Sequence, residues 1–261
     1  MSDGLVLYEN NSGVATLTLN RAELHNALDE RVIKELTGRV RAAGDDPSVR
    51  VIVLAAAGTS FSAGADLNYM RRMAGFSDIE NRADADQFAN LLDALHSSPK
   101  PTIARVQGAA VGGGVGLVAA CDIAIASAEA FFRLTEVRLG LVAALISPYL
   151  VEAMGPRTAR RYMLTSERID ALAAMNCGLV HEVVAAGELD ATVLRFAAQL
   201  ARGGPQALAE SKKLVGDVSG SPINETVRSR TAEVIAARRA SDEARSGIRA
   251  YFDKKTPPWQ D

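Results

Sequence analysis

The chain has 261 residues, 48% of them hydrophobic, enough to bury a sizeable core as one α/β domain or as a main domain with an appendage. Its 29 basic and 31 acidic side chains nearly cancel, so no basic field points to nucleic acid or an anionic membrane, and a small-molecule substrate is expected. The longest uncharged stretch, Val106 to Cys121, carries five glycines and is too short to span a bilayer, which excludes a membrane segment there.

Residues 5–9 and 14–20 alternate apolar and polar side chains around Asn10-Asn11-Ser12-Gly13, the pattern of a β-hairpin. Asp29 can cap a helix with Val32, Ile33, Leu36 and Val40 at helical spacing, ending near Gly44-Asp45-Asp46-Pro47. A buried strand at 51–55, a helix at 84–95, a strand at 102–106, a helix after Gly112-Gly113-Gly114 and a strand at 122–126 follow. That alternation predicts a largely parallel, right-handed β/α core. From Leu189 onward β signals vanish, and helical segments broken at Gly203-Gly204-Pro205 and Gly220-Ser221-Pro222 predict a helical appendage.

Three segments can carry chemistry. Phe61-Ser62-Ala63-Gly64-Ala65-Asp66-Leu67 follows a strand, and its small residues let a ligand approach backbone N–H groups. The plainer reading is a strand-to-helix turn with Asp66 as a cap. The glycines of Gly112-Gly113-Gly114 are costly at a helix start unless the main chain must approach something closely. Their spacing matches neither a dinucleotide fingerprint nor a phosphate loop with its lysine. Glu136 sits in an aliphatic neighbourhood; pointing inward, it would have a raised pKa and act as a general acid/base, whereas on the surface it would pair with Arg133 or Arg138. His25, His96 and His181 lack partner motifs, and Cys121 and Cys177 lack metal-ligand spacing. The N-terminus shows no secretory signal, so a cytoplasmic location is expected.

Taken in order, Asn20-Arg21, Asn26-Ala27-Leu28, residues 61–70, Pro101-Thr102-Ile103-Ala104 with Gly108 and Gly112-Gly113-Gly114, and Cys121-Asp122-Ile123-Ala124 resemble the crotonase, or enoyl-CoA hydratase/isomerase, superfamily. The resemblance runs from near residue 5 to Pro257-Pro258-Trp259. It implies an α/β fold in which repeated ββα units form a spiral core (1–195), followed by a helical region (196–261) that packs in a homotrimer or a hexamer of paired trimers.

It also implies an acyl-CoA thioester as substrate, with its carbonyl oxygen held by the N–H groups of Ala65 and Gly113, and no metal or redox cofactor. Coenzyme A would lie against Leu24, His25 and Ala27 and against Ala63, Gly64, Ala65, Asp66 and Leu67, with the adenine near Ala63 and Leu67. Where the family often has a lysine, this sequence has Leu24. Met70, Gly112, Gly116 and Leu141 would line the acyl pocket, which Met70, Met73, Phe76 and the helix over residues 88–95 would close. Of the two glutamates usual in hydratases, Glu136 matches the second, while the first falls on Gly116, and Val142-Ala143-Ala144-Leu145-Ile146 replaces a Pro-Gly-rich stretch.

Gly116, the segments 134–141 and 159–162, and the C-terminal Lys-Thr-Pro-Pro-Trp resemble bacterial methylglutaconyl-CoA hydratases of leucine degradation. The resulting expectation is single-glutamate hydration of a branched acidic acyl-CoA, in which Glu136 orients and deprotonates the water and the proton returns to the α-carbon through the same carboxylate, with Arg72, Arg82 or Arg138 meeting the distal carboxylate. A one-base Δ3–Δ2 enoyl-CoA isomerase is the alternative, and a non-catalytic acyl-CoA-binding homologue the second. A neighbouring aspartate could also substitute spatially for the missing glutamate.

Overall fold

A computed structural model describes residues 4–260 of the chain. Residues 1–3, and with them most of the stretch read above for a secretion signal, lie outside the described residues, as does residue 261.

The hairpin forms from β1 (Val6–Asn11) and β2 (Val14–Leu19), joined through Ser12 and Gly13 at φ 51° and 83°. Two successive positive φ values match the right-handed twist of the flanking strands. Asp29 caps α1 (Glu30–Asp45) by accepting from the Arg31 and Val32 N–H groups, and the apolar stripe Val32, Ile33, Leu36 and Val40 is buried. Next come β3 (Val51–Ala56), β4 (Thr102–Val106), β6 (Ile123–Ser127) and β9 (Glu182–Val184), which extend the sheet in the order β1-β2-β3-β4-β6-β9. Every pairing is parallel except that of β1 with β2.

Alternation along these strands divides the protein into two layers. Ile52, Leu54, Ala104, Val106, Ala124 and Ala126 face the main core, while Val51, Val53, Ile103 and Ile125 face Leu189, Val193 and Ala197 of α7 (Leu189–Ala201). α7 thus belongs to the core packing, and the boundary placed after residue 195 falls inside a continuous helix. The change in packing comes later, at Gly203-Gly204-Pro205, where α8 (Pro205–Val218) begins. Beyond it run α9 (Glu225–Ala240) and α10 (Asp242–Phe252), and among the described residues of these three helices Ala250 alone is buried.

A second, smaller sheet escaped the sequence pattern: β5 (Ala109–Val111), β7 (Phe131–Arg133) and β8 (Ile169–Asp170), each too short to show a period. It continues toward the β3 turn through a bridge between Ser62 and Ala110. Each turn of the chain therefore runs through a long strand, a short strand or bridge, and a helix. Those helices include α3 (Asp78–His96), α4 (Gly113–Ala119) and α5 (Ser147–Thr165), giving the spiral of ββα units. α3 begins six residues before the expected Asp84, because Ser77 and Glu80 form a reciprocal capping box.

Candidate active site

Two short segments lie side by side at the exit of β3. Gly64 O accepts from Leu28 N at 2.7 Å and Asp66 N donates to Leu28 O at 2.9 Å. This parallel bridge takes up the groups on either side of Ala65 and turns the Ala65 N–H the other way. Gly64 holds φ +84°, and a Cβ there would stand 2.7 Å from Val111 O, so the approach requires glycine.

Across from it, Gly112 N donates to Arg133 O at 2.8 Å, leaving Gly113 as the first residue of α4 with no carbonyl behind it to accept its N–H. Among the described residues, neither the Ala65 nor the Gly113 N–H has an intramolecular acceptor. Both residues line one cavity of ≈ 330 Å³, together with Glu136.

Glu136 opens a 3-10 turn, Glu136–Leu139, that follows β7. Burial raises its carboxyl above the ordinary glutamate range, opposed by main-chain N–H groups of Glu136 itself and Thr135. Its Oε2 is buried without a hydrogen-bond partner, and no basic side chain pairs with it among the described residues. Arg133 donates instead to Ser166 O at 2.9 Å, which excludes the surface ion pair as its role. A desolvated carboxyl facing two unsatisfied N–H donors can move a proton beside an oxygen on which negative charge develops.

The expected acyl-pocket residues need correction. Met70, Gly112, Gly116 and Leu141 do not line this cavity; Met73, one turn further along α2 (Leu67–Met73), does, with Leu28, Tyr69, Asn81, Asp84, Phe88 and residues 142–146. Leu141 is half exposed to solvent, and Gly116 is buried beneath Ile146. A Cβ on Gly116 would stand 2.1 Å from Ile146 Cγ2, so the isoleucine fills the space that a side chain at 116 would need. The departures at 116 and in the 142–146 segment are thus one structural change.

None of the arginines expected to meet a distal carboxylate lines the cavity. Arg72 pairs with Glu30 at 2.8 Å, Arg82 pairs with Asp86 at 3.0 Å on the outer face of α3, and Arg138 sits on the exposed turn after Glu136.

Along the proposed coenzyme A segment, exposure alternates: Ala63, Ala65 and Leu67 are open with Leu24 and His25, while Gly64, Asp66 and Ala27 are buried. The Asp66 carboxylate is engaged within the protein. Its Oδ1 accepts from Asn68 N and Tyr69 N, capping α2, and its Oδ2 lies 3.3 Å from Arg21. The plainer reading of Asp66 holds, and Ala27 and Gly64 likewise shape the segment from within.

Arg21 and Asn26, quoted from the sequence only as part of the motif, turn out to fix this loop. Asn26, at φ 54°, donates to Ala57 O and Ser60 O and accepts from Arg21 N, while buried Arg21 donates to Ala27 O at 2.8 Å. Sequence reasoning missed Tyr69, Asn81 and Asp84 as site residues. The spacing Asn81, Asp84, Ala85, Phe88 is a helical stripe, but it becomes visible only once α3 is started at Asp78.

Residues 9–261 match the enoyl-CoA hydratase/isomerase family, to which this chain belongs. It is an enzyme of the enoyl-CoA hydratase type. A crystal structure of an enoyl-CoA hydratase from Shewanella pealeana superposes with a TM-score of 0.95 at 42% identity, over 98% of this chain and 96% of that one. The crotonyl-CoA hydratase of Syntrophomonas wolfei is 30% identical over 96% of this chain and 95% of its own length. The 2,3-dehydroadipyl-CoA hydratase of Escherichia coli is 30% identical over 95% of both chains. Among the described residues no helix is long and apolar enough to cross a membrane, and no group of three or more His, Cys, Asp or Glu side chains is placed to hold a metal.

Proposed function

We propose that this protein adds water reversibly across the α,β-double bond of a branched acidic enoyl-CoA such as 3-methylglutaconyl-CoA. Ala65 and Gly113 hold the thioester oxygen, and Glu136 exchanges the proton of the α-carbon. The observation that carries this reading is the buried, unpartnered Oε2 of Glu136 in the same cavity as two free main-chain donors. As charge moves onto the thioester oxygen, those donors meet it without reorganising, so neither metal nor redox cofactor is needed. Dialysis against a chelator is expected to leave turnover unchanged.

The acidic acyl group rests on the sequence resemblance, with support from the E. coli relative, whose named substrate is itself a dicarboxylic acyl-CoA. Two observations favour other readings. The cavity's polar side chains are Tyr69, Asn81, Asp84 and Glu136, with no cation among them, which favours a neutral branched chain. The filled position at Gly116 favours a Δ3–Δ2 isomerase, which needs one base.

Turnover of 3-methylglutaconyl-CoA, a neutral branched enoyl-CoA, crotonyl-CoA and a 3-enoyl-CoA in H₂¹⁸O separates the three. Label entering the product, fastest from the branched acid, is the expected result; label entering fastest from a neutral chain removes the acidic substrate. Shifted double bonds without label replace hydration by isomerisation.

We further propose a homotrimer, or trimers paired as a hexamer, located in the cytoplasm. Support for the assembly comes from the apolar side chains Ile223, Tyr251 and Phe252 in the C-terminal region, at 90%, 80% and 76% exposure. Light scattering on the purified protein tests it.

A further inference from the structure

Hydration needs two proton movements: an O–H bond of water breaks as oxygen joins the β-carbon, and a C–H bond forms at the α-carbon. Glu136 accounts for one of them. The place where a second glutamate would stand is closed by Ile146. The cavity nevertheless holds a second carboxyl, that of Asp84 on α3.

Three observations place Asp84 in the chemistry. The Phe88 ring reaches the oxyanion end, its Cζ lying 3.0 Å from where a Cβ on Gly113 would stand. Asp84 precedes Phe88 by four residues on the same face of the helix, about 6 Å along the axis.

The Tyr69 hydroxyl donates to Asp84 Oδ1, which leaves Oδ2 as the acceptor for another donor. Tyr69 is itself fixed: it is 5% exposed, and its N–H is held by Asp66 Oδ1 at 3.1 Å, while Asp66 Oδ2 is held by Arg21. A continuous line from Arg21 through Asp66 and Tyr69 thus positions a carboxyl that faces the substrate cavity. Burial, and secondarily the Glu30 carboxylate, raises Asp84 above the ordinary aspartate range, making it a stronger base than a solvated aspartate.

We infer that Asp84 is a second catalytic carboxyl, the base that activates water, and that Tyr69 is its positioning residue. In the hydration direction the ionised Asp84 takes a proton from water as the oxygen bonds to the β-carbon. The electron pair of the double bond moves toward the thioester oxygen held at Ala65 and Gly113. The enolate then takes a proton at the α-carbon from protonated Glu136. The cycle closes when Asp84 loses its proton to solvent and Glu136 regains one. This inference rests on the hydratase reading but not on the identity of the acyl chain.

The test compares two reactions of one purified enzyme: hydration of crotonyl-CoA, and exchange of the α-protons of butyryl-CoA with D₂O, which needs the oxyanion donors and Glu136 but no activated water. Asp84→Asn is expected to lower hydration ~10²-fold or more and to change exchange by less than about threefold. Tyr69→Phe is expected to lower kcat for hydration ~10-fold with KM held, because the hydroxyl acts through Asp84. Glu136→Gln should lose both reactions.

Hydration by Asp84→Asn within threefold of the unmodified enzyme overturns the inference. So does joint loss of hydration and exchange, or a change confined to KM, which would make Asp84 a reader of the acyl chain. Failure of the unmodified enzyme to add water to any enoyl-CoA overturns the hydratase reading and this inference with it.

Discussion

The two walls of the cavity are built in different ways. On one wall the proposed working groups hang from the main chain: Ala65 N–H is aimed by the bridge to Leu28, Gly113 N–H by the start of α4, and Glu136 by the turn that leaves β7. On the other, Tyr69, Met73, Asn81, Asp84 and Phe88 project from α2 and the first half of α3, where the remaining positions are largely open to solvent, while Leu91, Leu92, Ala94 and Leu95 anchor the second half of α3 in the core. Chemistry set in backbone geometry is insensitive to most side-chain changes, while a wall of side chains can be altered residue by residue without disturbing the donors.

The comparison breaks most visibly at Glu136, the one side chain on the main-chain wall proposed to move a proton. Glu136→Gln is expected to lower turnover of the preferred enoyl-CoA by ~10²–10⁴-fold while acyl-CoA binding changes little, measured by steady-state kinetics and calorimetry.

The second largest effect is expected at Gly64→Ala. The new Cβ meets Val111 O and a positive φ, and the resulting shift of the Ala65 N–H should cost ~10²-fold in kcat with KM moving less. Side-chain changes on the opposite wall should sort substrates instead. Phe88→Leu is expected to change the ratio of kcat/KM between short and branched acyl-CoAs by ~10-fold, the scale of one or two methylene contacts.

A smaller effect is expected at the entry to that wall. Ser77→Ala removes the capping box of α3 and should lower stability by ~1 kcal/mol in urea unfolding.

Glu136 also has a pH signature. Its folded-state pKa is raised, so between the ordinary glutamate pKa and the folded value the native state binds more protons than the unfolded one. Stability therefore falls as pH rises through that window. Glu136→Gln is expected to raise Tm at pH 7, and the difference should disappear as pH drops below the ordinary glutamate range.

What could be read from the sequence was what is local. The Asn10–Gly13 turn, the Asp29 cap, the glycines before α4 and the aliphatic setting of Glu136 each lie within a few residues, where backbone preference and hydrophobic period act directly. The order of motifs carried the family and, with it, Ala65 and Gly113. What could not be read needed the tertiary fold. Tyr69 meets Asp84 across two helices, and Arg21 meets Asp66 after the chain has passed through α1 and β3. Periodicity also does not tell which methionine of α2 turns inward, and the structure chooses Met73 over Met70. Asp66 was drawn into the expected coenzyme A face because it sits between the exposed Ala65 and Leu67, but its carboxylate turns inward.

The contact between Gly116 and Ile146 has a consequence for how this active site can change. With Ile146 in place, any side chain at 116 collides with it; with Gly116 in place, trimming Ile146 leaves a void beside Leu92. Each step toward a second glutamate is harmful by itself, so the two positions have to change together. A lineage carrying this pair is held there as if by a ratchet, so new acid/base function at this site is more accessible through side chains on α3 than through recovery of a carboxylate at position 116.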